Sequence, residues 1–580
     1  MDLQAMFLRL LEEAMPQMRS SNQTSSVPEE FKKLQTDAEK IKFCYKELQK
    51  SEKLDNENIF DKKNEKMAAE LRNKANNLFN KERNFVRALE LYNESISLSP
   101  PGTQNLGMCY ANRSAVFFES GFYQHALDNI KLALENNYPE KMKPKLKKRR
   151  VKCLEKLNNA TGDEKNDQFS KQQLPFELSY LANKENPSII DEIELKQSEE
   201  FGRYICAKRD LYPGDVVILD KPHYKVLEDD AKHKFCENCF ESNFMNLISC
   251  KFCTKAMYCG AKCEEEAWKR YHQFECKATE SDLNPHLIRT ALKIITLFDD
   301  LDNLRDLIES VKKNPVTGFD FNLEPEIEHF KAVYCLETNS SKRSIHHYYV
   351  ISKALARSWH LLVTHSPLKT ILKTSDDEDL FLNILFHMFH VLGMNSHSSV
   401  FMTKIGKKSG FFDFDAETCG NALMPIMSLL NHSCAPNIYR VNRYGTFAVV
   451  VSRNIKAGEQ IFDCYGPHHQ SHIKYERNQK LSRFFFTCNC EACAKDYPLL
   501  DFCRPKFLSN SVTLSDAAYS VTNYDLKWIQ EHYKKVKDFL KKFSSQHYLS
   551  ADVLMVRTRL NCCLDYLYGN VPLELQLKPN

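Results

Sequence analysis

Long apolar runs are missing from this sequence, and its first residues lack the features of a secretion leader. No stretch of about 18 apolar residues occurs, so no membrane-spanning helix is expected. The start of the chain is an amphipathic stretch containing Glu12 and Glu13, instead of a basic segment followed by an apolar one. We therefore expect a chain that stays in the cytoplasm and nucleus and does not associate with membranes.

Glycine and net charge are also low. There are 16 glycines in 580 residues, which argues against a glycine-rich nucleotide-binding architecture. The 80 basic and 76 acidic residues leave a formal net charge of +4, so nothing indicates whole-molecule attraction to nucleic acid or anionic surfaces. Direct nucleic-acid binding is not expected. Apolar residues make up 43% of the chain, close to the globular average, so sizeable cores can form.

Cysteine, by contrast, is abundant, with 21 residues. In a long chain without a secretion signal, closely spaced cysteines indicate metal sites rather than disulfides. Two Cys-x2-Cys pairs are followed by Cys-x3-Cys and His-x3-Cys, and eight soft ligands satisfy two tetrahedral zinc ions. A segment this small needs metal in order to fold. The eight ligands are Cys236, Cys239, Cys250, Cys253, Cys259, Cys263, His272 and Cys276.

A nucleic-acid finger is the main alternative for this cysteine cluster. The short spacings leave no helix of the length that a Cys2His2 finger inserts into the major groove. A structural or protein-interaction role is therefore the better interpretation.

A second constellation lies nearer the C-terminus. Residues 427–437 read MSLLNHSCAPN, residues 463–466 read DCYG, and residues 484–493 read FFFTCNCEAC. These stretches resemble the two signature motifs of SET methyltransferases and their cysteine-rich post-SET segment. The cluster before them resembles the MYND finger, and Gly202-Arg203 resembles the start of a SET domain. The order is similar to that of the SET and MYND domain (SMYD) family, in its tetratricopeptide (TPR) branch, over roughly residues 69–580.

The resemblance implies a grouping of the metal ligands into three zinc sites. Because MYND ligands interleave, the eight residues divide into two sets of four, and the post-SET segment supplies a third set. The sets are Cys236, Cys239, Cys259 and Cys263; Cys250, Cys253, His272 and Cys276; and Cys434, Cys488, Cys490 and Cys493.

The resemblance also implies S-adenosyl-L-methionine as cofactor and assigns roles around it. Asn431 and His432 would grip the cofactor, and Tyr465 would be the catalytic residue whose hydroxyl orients the methyl group. Phe484 would wall the channel for the target lysine. The implied cofactor-binding residues are Arg203, Tyr204, Asn395, Ser428, Leu429, Asn431, His432, Tyr465 and Phe486.

Methyl transfer from a sulfonium to an amine needs positioning more than acid–base help. The lysine, with an ordinary pKa near 10.4, must lose a proton at a cost of about 4 kcal/mol at neutral pH. A nearby sulfonium and an aromatic channel both disfavour the ammonium form. Two departures from the family pattern stand out. Tyr204 stands where many relatives have glycine, and Phe484 stands where relatives often have tyrosine. The missing hydroxyl at Phe484 would leave room in the channel for an already methylated amine, which predicts di- or trimethylation.

An internal repeat precedes these motifs. Aligning Ala88 with Ala126 superposes Phe79 on Phe117, a pattern typical of TPR helices, although a plain helical hairpin would also give it.

The predicted class is α+β: a β-rich SET core with an inserted MYND zinc finger and a helical insert, flanked by N-terminal TPR-like helices and C-terminal helices. The predicted domains are a helical N-terminal region without assigned role (1–65), TPR-like helical repeats (66–158), a linker (159–196), the N-terminal part of the SET domain (197–235), the MYND zinc finger (236–276), a helical SET insert (277–395), the SET catalytic core (396–487), a post-SET zinc segment (488–498) and a C-terminal helical region (499–580).

The sequence thus predicts a monomeric protein-lysine N-methyltransferase that acts on protein substrates. Further protein partners are expected through the repeats and the finger. The alternative is a zinc-containing adaptor with an inactive or weakly active SET domain, and a DNA-binding regulator is a third hypothesis. Because Asn431, His432 and Tyr465 are all present, the enzyme is favoured.

Overall fold

The structure of this protein is a computed structural model. It describes residues 27–50, 63–159, 176–276, 285–316, 326–408, 411–443, 445–506 and 526–568. Parts of the predicted N-terminal region, linker and C-terminal region lie outside these ranges. In the described part, no helix has both the length and the apolar character needed to span a bilayer.

The described residues between 27 and 159 are mainly helical. Asn84 and Thr103 accept hydrogen bonds from backbone N–H groups in the first turns of two helices, so side-chain caps fix where these helices begin. Gly107 allows close packing, since a Cβ there would collide with the Asn136 carbonyl oxygen. The helices are α1 (Glu29–Lys32), α2 (Asp37–Lys50), α3 (Glu65–Asn77), α4 (Phe85–Leu98), α5 (Gln104–Glu119), α6 (Tyr123–Glu135) and α7 (Lys143–Asn159).

Short strands follow, and they correct the predicted linker. The sequence predicts a linker up to residue 196, but Ile189, Ile190 and Ile193 are fully or almost fully buried, and Ile189 bridges to Ile218. Residues 176–196 therefore belong to the folded core, because their apolar side chains complete a sheet. The elements of this part are β1 (Ile193–Ser198), β2 (Gly202–Ala207), β3 (Val216–Asp220), β4 (Tyr224–Leu227), β5 (Ile248–Ser249), β6 (Met257–Tyr258), α8 (Ala261–Ala267) and α9 (Gln273–Glu275).

A helical insert comes next, with α10 (Pro285–Ile295), α11 (Leu301–Lys313), α12 (Glu326–Tyr334), α13 (Ile345–His365) and α14 (Ser375–Asn395). Helix α2 packs on α13 and α14. The Tyr349 hydroxyl donates to Glu47 at 3.1 Å, and the Ala38 backbone N–H donates to Asn383 at 3.0 Å. The N-terminal region, which the sequence leaves without a role, thus covers the insert.

The remaining strands are β7 (Ser396–Lys408), β8 (Phe411–Leu423), β9 (Asn431–His432), β10 (Ile438–Arg443), β11 (Thr446–Val451) and β12 (Phe462–Asp463). They form small sheets: β4, β8 and β7 are antiparallel neighbours, as are β10, β11 and β3, whereas β9 and β12 pair in parallel. This mixture of helices and small sheets confirms the α+β class in its coarse form.

The chain closes with α15 (Lys474–Leu481), α16 (Glu491–Ala494), α17 (Leu526–Phe543) and α18 (Ala551–Leu567). Helices α17 and α18 share an apolar core with β3, β10 and β11. Arg557 of α18 donates to the Pro436 carbonyl oxygen at 2.7 Å, so the C-terminal helices hold the loop beside Cys434.

Candidate functional site

Two short parallel strands bring the motifs of the second constellation together. Asn431 lies opposite Phe462, and His432 lies opposite Asp463. The Tyr465 backbone N–H donates to His432 Nδ1 at 2.9 Å, and the Tyr465 hydroxyl donates to the Leu430 carbonyl oxygen at 2.8 Å. Segments about thirty residues apart in sequence thus form one knot. Gly466 follows with φ +130°, a backbone conformation that favours glycine, so the chain can turn directly after Tyr465.

Aromatic rings surround Tyr465. Its ring centroid lies 5.1 Å from Phe484, 5.2 Å from His432 and 6.5 Å from Phe486. Burial raises the pKa of the Tyr465 hydroxyl, and the charge of Asp463 raises it further, so the phenol stays protonated at neutral pH. It can therefore orient groups as a hydrogen-bonding residue but cannot act as a base.

A cavity of about 550 Å³ adjoins Tyr465. Four of the predicted site residues line it: Asn395, Ser428, Tyr465 and Phe484. The Ser428 hydroxyl donates to the Asn395 carbonyl oxygen at 3.3 Å. Clefts of this size with a few fixed polar groups are typical small-molecule sites.

The other predicted cofactor residues lie around the knot. Leu429 is buried, and the Asn431 amide donates to the Phe201 carbonyl oxygen at 3.0 Å. Arg203 donates to the carbonyl oxygens of Val316 and Cys335 at 3.2 and 2.9 Å.

The side chain of Tyr204 does not face the cavity beside Tyr465. Side chains alternate along a strand, so Arg203 and Tyr204 leave β2 on opposite faces. Tyr204 lines a separate groove of about 990 Å³ together with Phe462 and Cys490. The side chain of Tyr204 is thus not among those that line the Tyr465 cavity.

Several residues of the site are not among those predicted from the sequence. The Asn395 amide donates to the Glu337 carbonyl oxygen at 2.8 Å, and the Asn339 amide donates to the Phe484 carbonyl oxygen at 3.4 Å. This segment of the helical insert therefore joins both halves of the site. No motif or spacing in the sequence signals it. Three further residues of the cavity lining, His397, Arg440 and Asp463, are also missed.

The twelve metal-ligand candidates fall into three groups, and the four ligand atoms of each group lie within 4.8 Å of one another. The groups have the membership that the resemblance implies. Tetrahedral zinc with bonds of about 2.3 Å to sulfur places its sulfurs about 3.8 Å apart. The Sγ atoms of Cys250 and Cys276 are 3.8 Å apart, and those of Cys434 and Cys493 are 3.6 Å apart. The residues present therefore suit zinc in all three groups.

Behind the metal-ligand group that contains His272 lies a cluster of buried charged side chains, which no sequence motif predicts. His272 Nδ1 is 3.1 Å from a carboxylate oxygen of Glu275, the usual way in which a metal-bound imidazole is oriented. Arg289 donates to Glu275 at 2.7 Å and also to Glu237. These three charged side chains are 4–7% exposed.

The helices within residues 66–158 pack against the same cysteine-rich segment. Arg113 is fully buried and donates to the Leu247 carbonyl oxygen at 2.7 Å, and the Asn93 amide donates to the Met245 carbonyl oxygen at 2.9 Å. The helices and the cysteine-rich segment thus form one continuous unit.

Known proteins resemble this chain in sequence over the segments that form the site. Residues 202–466 match the family model described as SET domain. "Protein-lysine N-methyltransferase SMYD4" of Pongo abelii is 25% identical over 524 residues, covering 71% of this chain and 65% of that protein. A "SET and MYND domain-containing protein" of Dictyostelium discoideum is 23% identical over 331 residues, covering 53% of this chain and 83% of that protein. "N-lysine methyltransferase SMYD2" of Homo sapiens is 25% identical over 302 residues, covering 50% of this chain and 58% of that protein.

The chain thus spans just under two thirds of the length of the first of these relatives. The knot, the three ligand groups, the family model and the relatives all agree with the similarity of this chain to the SET and MYND domain (SMYD) family.

Proposed function

We propose that this chain is a protein-lysine N-methyltransferase that transfers a methyl group from S-adenosyl-L-methionine to a lysine side chain of a protein substrate. The observation that supports this most is the parallel pairing of β9 with β12. It sets Tyr465 against His432 at the edge of a cavity lined by Asn395 and Ser428.

The bound cofactor would supply an electrophilic methyl group on a sulfonium. The cavity volume of about 550 Å³ suits a nucleoside-sized molecule together with an amine side chain. Asn395, Ser428, Asn431 and His432 would hold the cofactor, with Arg203, Leu429 and the Tyr204 backbone at its margin. Phe486 would cover it.

The chain's own contribution is positioning and exclusion of water. The Tyr465 hydroxyl, fixed by the Leu430 carbonyl, would orient the transferring methyl group, and Phe484 would confine the amine beside it. An apolar, aromatic wall disfavours the ammonium form of the lysine and so lowers the cost of its deprotonation.

Three structural zinc ions belong to the same proposal, two in a MYND finger at 236–276 and one in the post-SET segment at 488–498. Helices at 66–158 are proposed as TPR-like repeats, which together with the finger would contact protein partners. Burial of Arg113 against the finger supports a scaffold role for that contact. We further propose a monomer located in cytoplasm and nucleus.

Two measurements test the function. Titration calorimetry of the zinc-replete protein with S-adenosylhomocysteine should give saturable binding. Incubation with labelled cofactor and cell extract should label protein lysines, and Tyr465→Phe should remove the label while it keeps cofactor affinity within about threefold. Absence of cofactor binding would overturn the enzyme in favour of an adaptor.

A further inference from the structure

Beside Tyr465 the cavity contains a carboxylate that the proposed mechanism does not use. Asp463 lies two residues before Tyr465, lines the same cavity, and its side chain is 6% exposed. Among the described residues that line the cavity, Asp463 carries the sole carboxylate, whereas Arg343, Arg440 and Arg483 carry positive charge.

The two oxygens of this carboxylate are in different situations. Oδ1 accepts a hydrogen bond from the Cys464 backbone N–H at 2.7 Å. Oδ2 is buried and accepts no hydrogen bond from the described part of the chain. A buried anionic oxygen without a donor is costly, so its presence beside the cavity calls for an explanation.

Arg440 lies near Oδ2 but is engaged elsewhere. Its Nη1 atom is 3.4 Å from Oδ2, longer than a good charge-assisted hydrogen bond, and donates at 2.9 Å to His397 Nδ1. Because an arginine can only donate, His397 Nδ1 is an acceptor and the ring proton sits on Nε2. Nε2 then donates to the Ser428 hydroxyl at 3.2 Å.

The hydrogen bonds therefore run from Arg440 through His397 and Ser428 to the carbonyl oxygen of Asn395. This series of hydrogen bonds directs Arg440 toward the side of the cavity that holds Asn395, and Oδ2 of Asp463 is left without a hydrogen-bond donor from the described residues. Burial raises the pKa of Asp463, while Arg440 opposes that rise.

We propose that Asp463 is the anchor for the ε-ammonium group of the incoming lysine. The inference rests on the proposed function and extends it with a residue that binds substrate. An ammonium has the donors that Oδ2 lacks and a charge opposite to it, and it would arrive in a cavity whose other charges repel it. Asp463 thus admits the amine in its ammonium form.

The test measures binding of two small probes to the intact, zinc-replete protein with S-adenosylhomocysteine present. N-acetyl-lysine methylamide carries the amine. N-acetyl-norleucine methylamide has the same aliphatic side chain but lacks the amine. Wild type should prefer the lysine probe at least about tenfold. In Asp463→Asn, which keeps the side-chain shape, the preference should fall toward one.

Two companion variants sharpen the result. Arg440→Gln removes the competing cation and should raise the preference for the lysine probe. Asp565→Asn is the matched control, because Asp565 accepts a hydrogen bond from Tyr439 on the opposite face of β10 and should leave the preference unchanged. Zinc content and melting temperature verify that each variant is folded.

An unchanged preference in Asp463→Asn would overturn the inference, and so would a fall in the preference in Arg440→Gln. The cofactor's own α-ammonium is the other amine that this site receives. If Asp463→Asn weakens S-adenosylhomocysteine but not its deaminated analogue, the carboxylate holds the cofactor and the inference is wrong. If wild type binds no S-adenosylhomocysteine at all, the proposed function fails instead.

Discussion

Replacement of Arg289 by methionine should release zinc from the group that contains His272. The Arg289 guanidinium joins Glu275 and Glu237, and all three side chains are 4–7% exposed. Its plane also lies over Tyr271, with the guanidinium carbon 4.5 Å from the ring centroid. Methionine fills much of the volume but removes the positive charge.

The magnitude follows from what the substitution leaves behind. Removal of one partner from a buried ion pair costs about 3–5 kcal/mol, because the remaining charge is desolvated and unpaired. Here two carboxylates lose their partner. Glu275 also orients the His272 ring, and loss of such support typically lowers metal affinity about 10–100-fold.

The assay is zinc transfer to a chromophoric chelator, followed over time, together with thermal unfolding. Arg305→Met is the matched control: Arg305 also joins two carboxylates, Asp302 and Asp377, but its side chain is 30% exposed. Arg305 is more exposed than Arg289, and neither it nor its two partners belongs to a metal-ligand group, so this control should release zinc at the wild-type rate.

A double variant separates the effect of the lost positive charge from the effect of altered side-chain packing. Arg289→Met with Glu237→Gln leaves one unpaired carboxylate instead of two and should recover part of the lost zinc affinity. If Arg289→Met loses zinc no faster than Arg305→Met and melts at the same temperature, the buried cluster does not support the metal group and the reasoning is refuted.

Three further predictions concern other parts of the molecule. Cys490→Ser should lower the zinc content measured by native mass spectrometry from three ions to two, whereas Cys503→Ser, a thiol outside the three ligand groups, should keep all three. Burial raises the pKa of Asp220 to about 7, against about 3.9 in an unfolded chain. Between these values the native state binds more protons than the unfolded one, so this group's contribution to stability falls, by about 4 kcal/mol in total, as pH rises from 4 to 7. Asp220→Asn should flatten that part of the pH profile of the denaturation midpoint, and parallel profiles would contradict the assignment. Phe484→Tyr should shift products toward lower methylation states in mass spectra, because a hydroxyl in the channel leaves less room for a methylated amine, and identical products would remove this explanation.

The metal-ligand groups show how far short-range sequence information reaches. Cys250 and Cys253 are separated by two residues, and few arrangements other than a shared metal ion satisfy two thiolates so close together. The interleaved membership came from the family resemblance, and the structure gives the same sets. The motif around Asn431 can likewise be located from the sequence alone, because the resemblance to SET domains rests on its residue types.

Side-chain direction, by contrast, was decided by the fold. Arg203 and Tyr204 are neighbours in sequence, yet the strand sends one toward the helical insert and the other into a separate groove. The buried isoleucines at 189, 190 and 193 looked like part of a polar linker, because the sheet they complete is formed by distant residues.

The sequence by itself determined the ligand types, their spacing and the motifs of the knot, because these depend on local chemistry. Only the tertiary structure decided which ordinary polar residues join the site. Arg440 and His397, or Arg289 with its two glutamates, resemble any other charged or polar residue in sequence, and the motif at 463–466 does not show that one oxygen of Asp463 lacks a donor. Their roles arise from burial and from partners that lie many residues away in the sequence. Only the folded chain brings these partners together.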